Sequence, residues 1–503
     1  MPKIHSPKRV PTIRVLSLNE QPVNTGGQYV LYWMTASRRL QSNFALDRAL
    51  EYCRSLNLPL LIFEPLRCDY RWASCRLHSF VIRGMAENAA TAAAFGHAYV
   101  PWVEPEFGAG KGMFEAVAGA AAVVVTDDYP CFFLPQMIRA AARVAPVLFE
   151  AVDSNGLLPM RATENVFPTA YAFRRYLQKS LTPHLSQFPE EVPLADAAIP
   201  RLQKLPPVFS GRWAPTSPEH LSCRPEWLSQ LPIDQSVCEG VARGGSSAAA
   251  ACLDIFLKRK LQRYGEDRNQ PDADGSSGLS PWLHFGHISV HQIFSQLASA
   301  EGWSPDRLGD PKETKGGRSG WWGMSEAAEA FLDELITWRE IGFNMCSKVR
   351  RYDRWESLPE WARETLDDHA RDPRPYIYSL EQLQTAATHD HVWNAAQRQL
   401  VHEGRMHNYL RMLWGKKVLE WSPTPQAALE VLIELNNRYA VDGRDPNSYS
   451  GIFWVFGRYD RAWGPERPIF GKIRYMTSDS TLRKLDMKAY LAKWSISGSK
   501  RRS

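Results

Sequence analysis

Residues 28–63 read QYVLYWMTASRRLQSNFALDRALEYCRSLNLPLLIF, and this stretch sets the fold of the first part of the chain. Tyr29-Val30-Leu31-Tyr32-Trp33 is an apolar run of strand length. Over residues 43–55, Leu46, Leu50 and Cys53 fall on one face at the period of an amphipathic helix. Leu58 to Phe63 is a second apolar strand run. Strands that do not alternate with polar residues, joined by a helix, predict a parallel sheet covered on both faces. Three more runs continue the pattern at 98–103, 122–126 and 147–151. An α/β domain of Rossmann-like shape is therefore expected over residues 28–178. No G-x-G-x-x-G follows its first strand, so the usual dinucleotide fingerprint is missing.

Outside this stretch the pattern changes. Residues 1–27 read as an N-terminal extension; Lys3, Lys8 and Arg9 precede no apolar segment, which argues against a signal peptide. Residues 179–238 carry Pro183, Pro189, Pro193, Pro200, Pro206, Pro207, Pro215 and Pro218 and read as a long interdomain linker. From 239 to 495 nearly every segment has a helical apolar period, which predicts an all-α second domain. Within it, Lys312 to Gly323 (KETKGGRSGWWG) is Gly-rich and reads as a surface insert. Residues 496–503 read as a basic solvated tail.

The chain has 503 residues, enough for two or three domains, with an apolar fraction of 44% and no apolar run long enough for a membrane span. Its net charge of +6 permits a phosphate-bearing partner without requiring one. Eight cysteines are scattered without a C-x-x-C pair or metal-ligand spacing. A reducing, cytoplasmic, nucleoid-accessible setting and a monomer are expected. The 18 tryptophans exceed what a core of this size requires, which raises stacking or electron transfer as uses for them.

Three constellations could carry chemistry. Tyr264, Arg268 and Asn269 precede Ser276-Ser277-Gly278-Leu279-Ser280-Pro281, where small residues before a helix-starting Pro would present free amides to a phosphate. The plain alternative is an N-cap on Ser280. In Trp338-Arg339-Glu340, the acid lies one helical turn before Asn344 and could meet a base edge; a surface ion pair is the plain alternative. Trp414 and Trp421 lie seven residues apart, about 10 Å along one helix face, with Trp393 on a preceding helix. Core packing is the plain reading of those indoles.

Taken in order, these segments resemble the class II branch of the DNA photolyase/cryptochrome family. The matching segments are Ser277 to Gly286 (SGLSPWLHFG), Trp338-Arg339-Glu340, Leu358 to Ala362, Trp393 to Gln397, Gly415 to Trp421, Asn436 to Asn447, Asp460 to Gly464 and Gly471 to Met476. The resemblance spans roughly residues 28 to 495 and is densest after Tyr264. One departure is Thr35-Ala36-Ser37-Arg38-Arg39, where the family carries an Arg-Asp-Gln-Arg stretch.

The resemblance implies FAD bound in the helical domain and light-driven splitting of cyclobutane pyrimidine dimers in double-stranded DNA. Tyr264 and Ser276 to Ser280 would hold the FAD pyrophosphate. Arg411 and Asp442 would pair beside the flavin ring, with Asn436 facing its N5 and Arg444 close by. Glu340 and Asn344 would hydrogen-bond the flipped dimer and Trp454 would pack on it. Arg268, Asn269, Trp463 and Arg474 would line the DNA-facing surface. Trp393, Trp414 and Trp421 would pass electrons to oxidised flavin. Whether a second, antenna chromophore of deazaflavin or folate type binds is left open. A blue-light receptor without repair activity (a cryptochrome) and a plain helical DNA-binding protein are the alternative readings.

Overall fold

The computed structural model describes residues 9–495, so the basic tail and the lysines Lys3 and Lys8 lie outside the described residues. Six strands form one sheet: β1 (Val15–Ser17), β2 (Tyr29–Trp33), β3 (Leu60–Leu66), β4 (Ala98–Val103), β5 (Ala121–Asp127) and β6 (Phe149–Val152), in the order β1-β6-β5-β2-β3-β4. Strands β2 to β6 are parallel, as the apolar runs predicted. The sequence reading missed β1, which pairs antiparallel to β6 and forms an edge. It is three residues long and mostly exposed, so it carries no apolar period to detect.

Both faces of the sheet are covered, and β2 shows how. Val30 and Tyr32 enter one core with Leu46, Leu50 and Cys53 of α1 (Phe44–Leu56). Tyr29, Leu31 and Trp33 enter the opposite core with Val117 of α3 (Met113–Gly119) and Ile138 of α4 (Leu134–Val144). The period of two sends alternate residues to opposite faces, and both faces are apolar. Asn43 caps α1 by accepting from the amides of Ala45 and Leu46. The turn after β2 is fixed by Asp127, whose Oδ2 accepts from the amides of Thr35, Ala36 and Ser37 at 2.8, 2.8 and 3.1 Å. The departing Thr35-Ala36-Ser37 stretch is thus a carboxylate-holding turn.

The Pro-rich 179–238 segment is not a free tether. Leu194 and Ile199 enter one sheet core and Phe209 the other, while Leu221, Leu228 and Leu231 pack on α2 (Cys75–Ala94). The insert also departs from expectation: Trp321 and Trp322 are 4% and 8% exposed, against Phe294 and Trp303, so only part of it is surface. The apolar drive of two indoles outweighs the looseness of the flanking glycines.

The remainder is helical. A continuous helix over 326–348 has a π turn at its middle, Asp333–Trp338. Helices His391–Glu403, Asn408–Trp421, Pro425–Tyr439 and Pro446–Trp454 pack around one large apolar core. Side chains tie this body to the sheet through backbone carbonyls. Arg76 of α2 donates to the carbonyls of Cys238, Tyr439 and Val401 at 2.8, 2.7 and 2.6 Å. Arg39 donates to Gly286, and a Cβ at Gly286 (φ 71) would stand 2.1 Å from the Ala36 carbonyl oxygen. Only glycine allows the two backbones to meet there.

Candidate functional site

The loop containing Ser276 to Ser280 and the turn before the Asn408–Trp421 helix are drawn together by charge. Asp274 pairs with Arg405 at 3.1 Å, and Lys260 donates to its carbonyl at 2.8 Å. The helix after this loop begins at Ser280, and its N-cap is Leu279, which supplies no side-chain bond. Ser280 is therefore not the cap, and within the turn the Leu279 amide donates to Ser277 Oγ at 3.5 Å. Gly278 supports the turn at φ 71. Nearby, His407 precedes the 408–421 helix with both ring nitrogens buried and unpartnered. Burial holds its pKa down to about 4, so it is neutral. One turn on, Arg411 meets Asp442 at 3.4 Å in a half-open pair. An orphaned imidazole and a loose ion pair beside this loop fit a polar ligand such as FAD.

Asn436 is buried and donates to Ser448 Oγ at 2.6 Å and to Asn437 Oδ1 at 3.2 Å. Arg444 is buried on its own turn. Its guanidinium folds back on the carbonyls of Asn437 and Val441 at 2.5 and 3.3 Å, and it lines a cavity of the sheet side instead of the loop cluster.

The tryptophans form a contact run in an order the spacing did not give. Trp393 lies between the other two, stacked on Trp414 (centroids 6.4 Å, planes 7° apart) and edge-on to Trp421 (5.7 Å). All three are at most 3% exposed. The run continues outward: Trp421 meets Tyr378 at 5.4 Å and His389 at 5.2 Å, and His389 stacks on exposed Tyr376 at 3.9 Å. Tyr378 Oη and His389 Nδ1 are 2.6 Å apart. The sequence reading missed both of these residues, since nothing in periodicity links an exposed loop to a buried indole.

Glu340 and Asn344 are not where a dimer could meet them. Glu340 is 4% exposed and accepts from the amides of Leu157 and Leu158 at 2.8 and 3.1 Å, while neighbouring Arg339 donates to the Asn155 carbonyl. Burial raises the Glu340 carboxyl to about 7, partly countered by Arg339 and those amides. Asn344 binds the backbone of Asn165 and Phe167. Both residues dock the 326–348 helix on the loop after β6. Glu334, inside the π turn of the same helix, is partly exposed and pairs with Arg268 beside the Tyr264 ring. Trp338, one turn on, is also half-buried. The π turn separates the face that carries Glu334 from the one that carries Glu340 and Asn344. Asn269 is half-buried at the end of the Arg268 turn.

Trp454, Trp463 and Arg474 do come together. The Arg474 guanidinium lies 4.0 Å from the Trp463 ring centroid and 5.2 Å from that of Trp454, anchored on Asp460 at 2.9 and 3.1 Å. Beneath Trp454 lies Lys416, fully buried, donating to the Val455 carbonyl. This is a half-exposed cationic and aromatic face.

A cavity of about 630 Å³ opens at the C-terminal edge of the sheet, where strand order reverses on either side of β2. Ligands of open α/β sheets occupy that position. Trp33, Phe63, Trp102 and Phe114 wall one side, and His284, Phe285 and Arg444 of the helical part close it.

Comparison with known proteins fixes the family. The chain is 34% identical over 479 residues to the deoxyribodipyrimidine photo-lyase of Methanothermobacter thermautotrophicus, covering 95% of this chain and 97% of that one. It belongs to the deoxyribodipyrimidine photo-lyase family. A second photo-lyase, from Potorous tridactylus, is 33% identical over 92% of this chain and 80% of its own length. No family model matches the chain. Among solved structures, the photolyase/cryptochrome fold recurs. A bacterial class III photolyase from Agrobacterium tumefaciens has a TM-score of 0.64 at 17% identity, over 93% of this chain and 86% of that one. A cryptochrome from Synechocystis sp. PCC6803 has 0.67 at 16%, over 93% and 88%. The photolyase fold thus accounts for the sheet, the helical body and their docking. No helix among the described residues is long and apolar enough to cross a membrane.

Proposed function

We propose that this chain repairs cyclobutane pyrimidine dimers in double-stranded DNA with light, as a class II photolyase. The observation that carries this reading is the Trp414–Trp393–Trp421 run, which leads from beside Arg411 and Asp442 to aromatic side chains at the surface. Bound FAD, reduced and excited, supplies the electron that opens the cyclobutane ring and takes it back. Tyr264, Ser276, Ser277, Gly278, Leu279 and Ser280 would hold its pyrophosphate, and Arg411 and Asp442 would pair beside its ring. Asn436 is held by Ser448 so that its amide keeps one orientation. The three indoles pass an electron inward one contact at a time.

Dimer recognition falls to the half-exposed groups. Arg268 and Glu334 form a charged pair that can open toward a flipped base, with Asn269 beside it. Trp454 and Trp463 offer flat faces to a lesion that stacks poorly in its own duplex, and Arg474 supplies charge for phosphates. The sheet-edge cavity would suit a second, light-gathering chromophore of deazaflavin or folate type, because it is lined by aromatic side chains together with Arg38, Glu104 and Lys111.

The test is direct. Purified protein should show flavin absorption, and illumination with a reductant should remove thymine dimers from an oligonucleotide. Flavin photoreduction without dimer loss would transfer the chain to the light-receptor reading. Absence of flavin would overturn both.

A further inference from the structure

The insert at 312–323 is held down, basic on its outer side and joined to the Arg268–Glu334 pair. Helix α5 (Ala170–Ser180) supplies the anchors: Gln178 accepts from the Gly316 amide at 2.7 Å and donates to the Gly317 carbonyl at 3.1 Å. Arg174 of α5 donates to the Gly316 carbonyl and pairs with Asp333 at 2.7 Å, the residue before Glu334. Below, Trp321 and Trp322 fix the end of the insert in the core. The insert carries exposed Lys312, Lys315 and Arg318 against one exposed acid, Glu313, and α5 adds exposed Arg175 and Lys179. No acidic group lies within ion-pair distance of these five side chains among the described residues. Arg318 is near enough to Glu334 for its charge to lower that carboxyl, against the larger upward push of burial.

We infer that the insert and α5 form a phosphate-binding shelf that extends the DNA contact beyond the lesion, with Arg318 and Lys315 on the duplex backbone flanking the dimer. A free cation on an anchored backbone loses little conformational freedom when it meets a phosphate. Unpaired cations leading up to a lesion-facing carboxylate match the charge of a duplex better than that of a small ligand, which would need a pocket. The inference rests on the repair reading above.

The test uses the full FAD-loaded chain, the double variant Arg318→Ala/Lys315→Ala, and a duplex oligonucleotide carrying one thymine dimer. Affinity is measured against salt concentration. Each lost phosphate contact removes about one unit from the slope of log affinity against log salt, so the double variant should lose about two. Its affinity near 0.1 M salt should fall about tenfold or more. Flavin absorption and photoreduction should stay at wild-type levels, since the variant touches neither the flavin loop nor the three indoles. An unchanged slope in a variant that still binds flavin would overturn the shelf while leaving repair intact. Failure of the wild type to prefer dimer-containing DNA would overturn the underlying reading instead. Point variants are used because deleting the insert would also remove Trp321 and Trp322 from the core.

Discussion

Two sets of tryptophans in the helical body share a residue type and differ in almost everything else. Trp393, Trp414 and Trp421 are buried in mutual contact, and their indole nitrogens are engaged where bonds are present: Trp393 with the Trp414 carbonyl, Trp414 with Gln397. Trp454 and Trp463 are half-exposed and sit against the Arg474 guanidinium. A buried stack in mutual contact keeps water away and spacing fixed, which suits passage of an electron. A half-exposed ring under a cation suits stacking on a base next to a phosphate. The environment, and not the side chain, divides the labour.

The sharpest way to break this division is Trp393→Phe. It removes the middle member of the buried run, so photoreduction of oxidised flavin should be nearly abolished, while chemically pre-reduced protein still splits dimers. Photoreduction at the wild-type rate, followed by flavin absorbance under illumination, would reduce the run to core packing.

A second experiment compares two carboxylates on the same helix. Glu340→Ala leaves the amides of Leu157 and Leu158 buried without an acceptor, at a cost of about 1–3 kcal/mol for each. Denaturant midpoints should fall accordingly. Glu334→Gln should leave the midpoint close to wild type, because its pair with Arg268 is partly solvated, and should lower dimer splitting under saturating DNA. The reverse pattern would restore Glu340 to the lesion.

Arg474→Ala addresses the exposed set. Lesion affinity should weaken and the salt slope should fall by about one unit, with photoreduction unaltered. A change in photoreduction would show that the two sets of indoles are not independent.

The smallest effect concerns Lys416, which lies on the helix of the buried run and reaches under Trp454. Burial lowers its pKa from 10.5 to about 7. Between those values the unfolded chain holds a proton that the folded chain lacks, so stability rises with pH across that window. Lys416→Met should flatten this part of the profile, measured as thermal midpoint at pH 7 and pH 10. Equal slopes in both proteins would place the lysine in a wetter setting.

Much of this was readable in the sequence, for physical reasons. Parallel strands buried on both faces are nearly all apolar, so β2 to β6 stood out. β1 could not, because antiparallel pairing at an edge needs no side-chain pattern. The loop at Ser276, the Arg411–Asp442 pair and the three indoles were found by motif, and geometry then ordered the indoles. Glu340 was picked from the Trp-Arg-Glu segment, and its spacing to Asn344 holds on a regular helix, but no local pattern shows that this face docks on the loop after β6. Tyr378 and His389 reach the buried run from a separate loop, a relation that no local pattern encodes.

The cavity at the sheet edge has walls from both halves of the chain, Trp33 and Phe63 on one side, His284 and Phe285 on the other. A guest that touches both binds the docked arrangement and has far less to hold once the halves separate. Occupancy and docking are then thermodynamically linked: guest at 100 times its Kd would oppose separation by about 2.7 kcal/mol. A pigment there would act as a removable keystone as well as a collector of light, and the same chain would be easier to pull apart when grown without it.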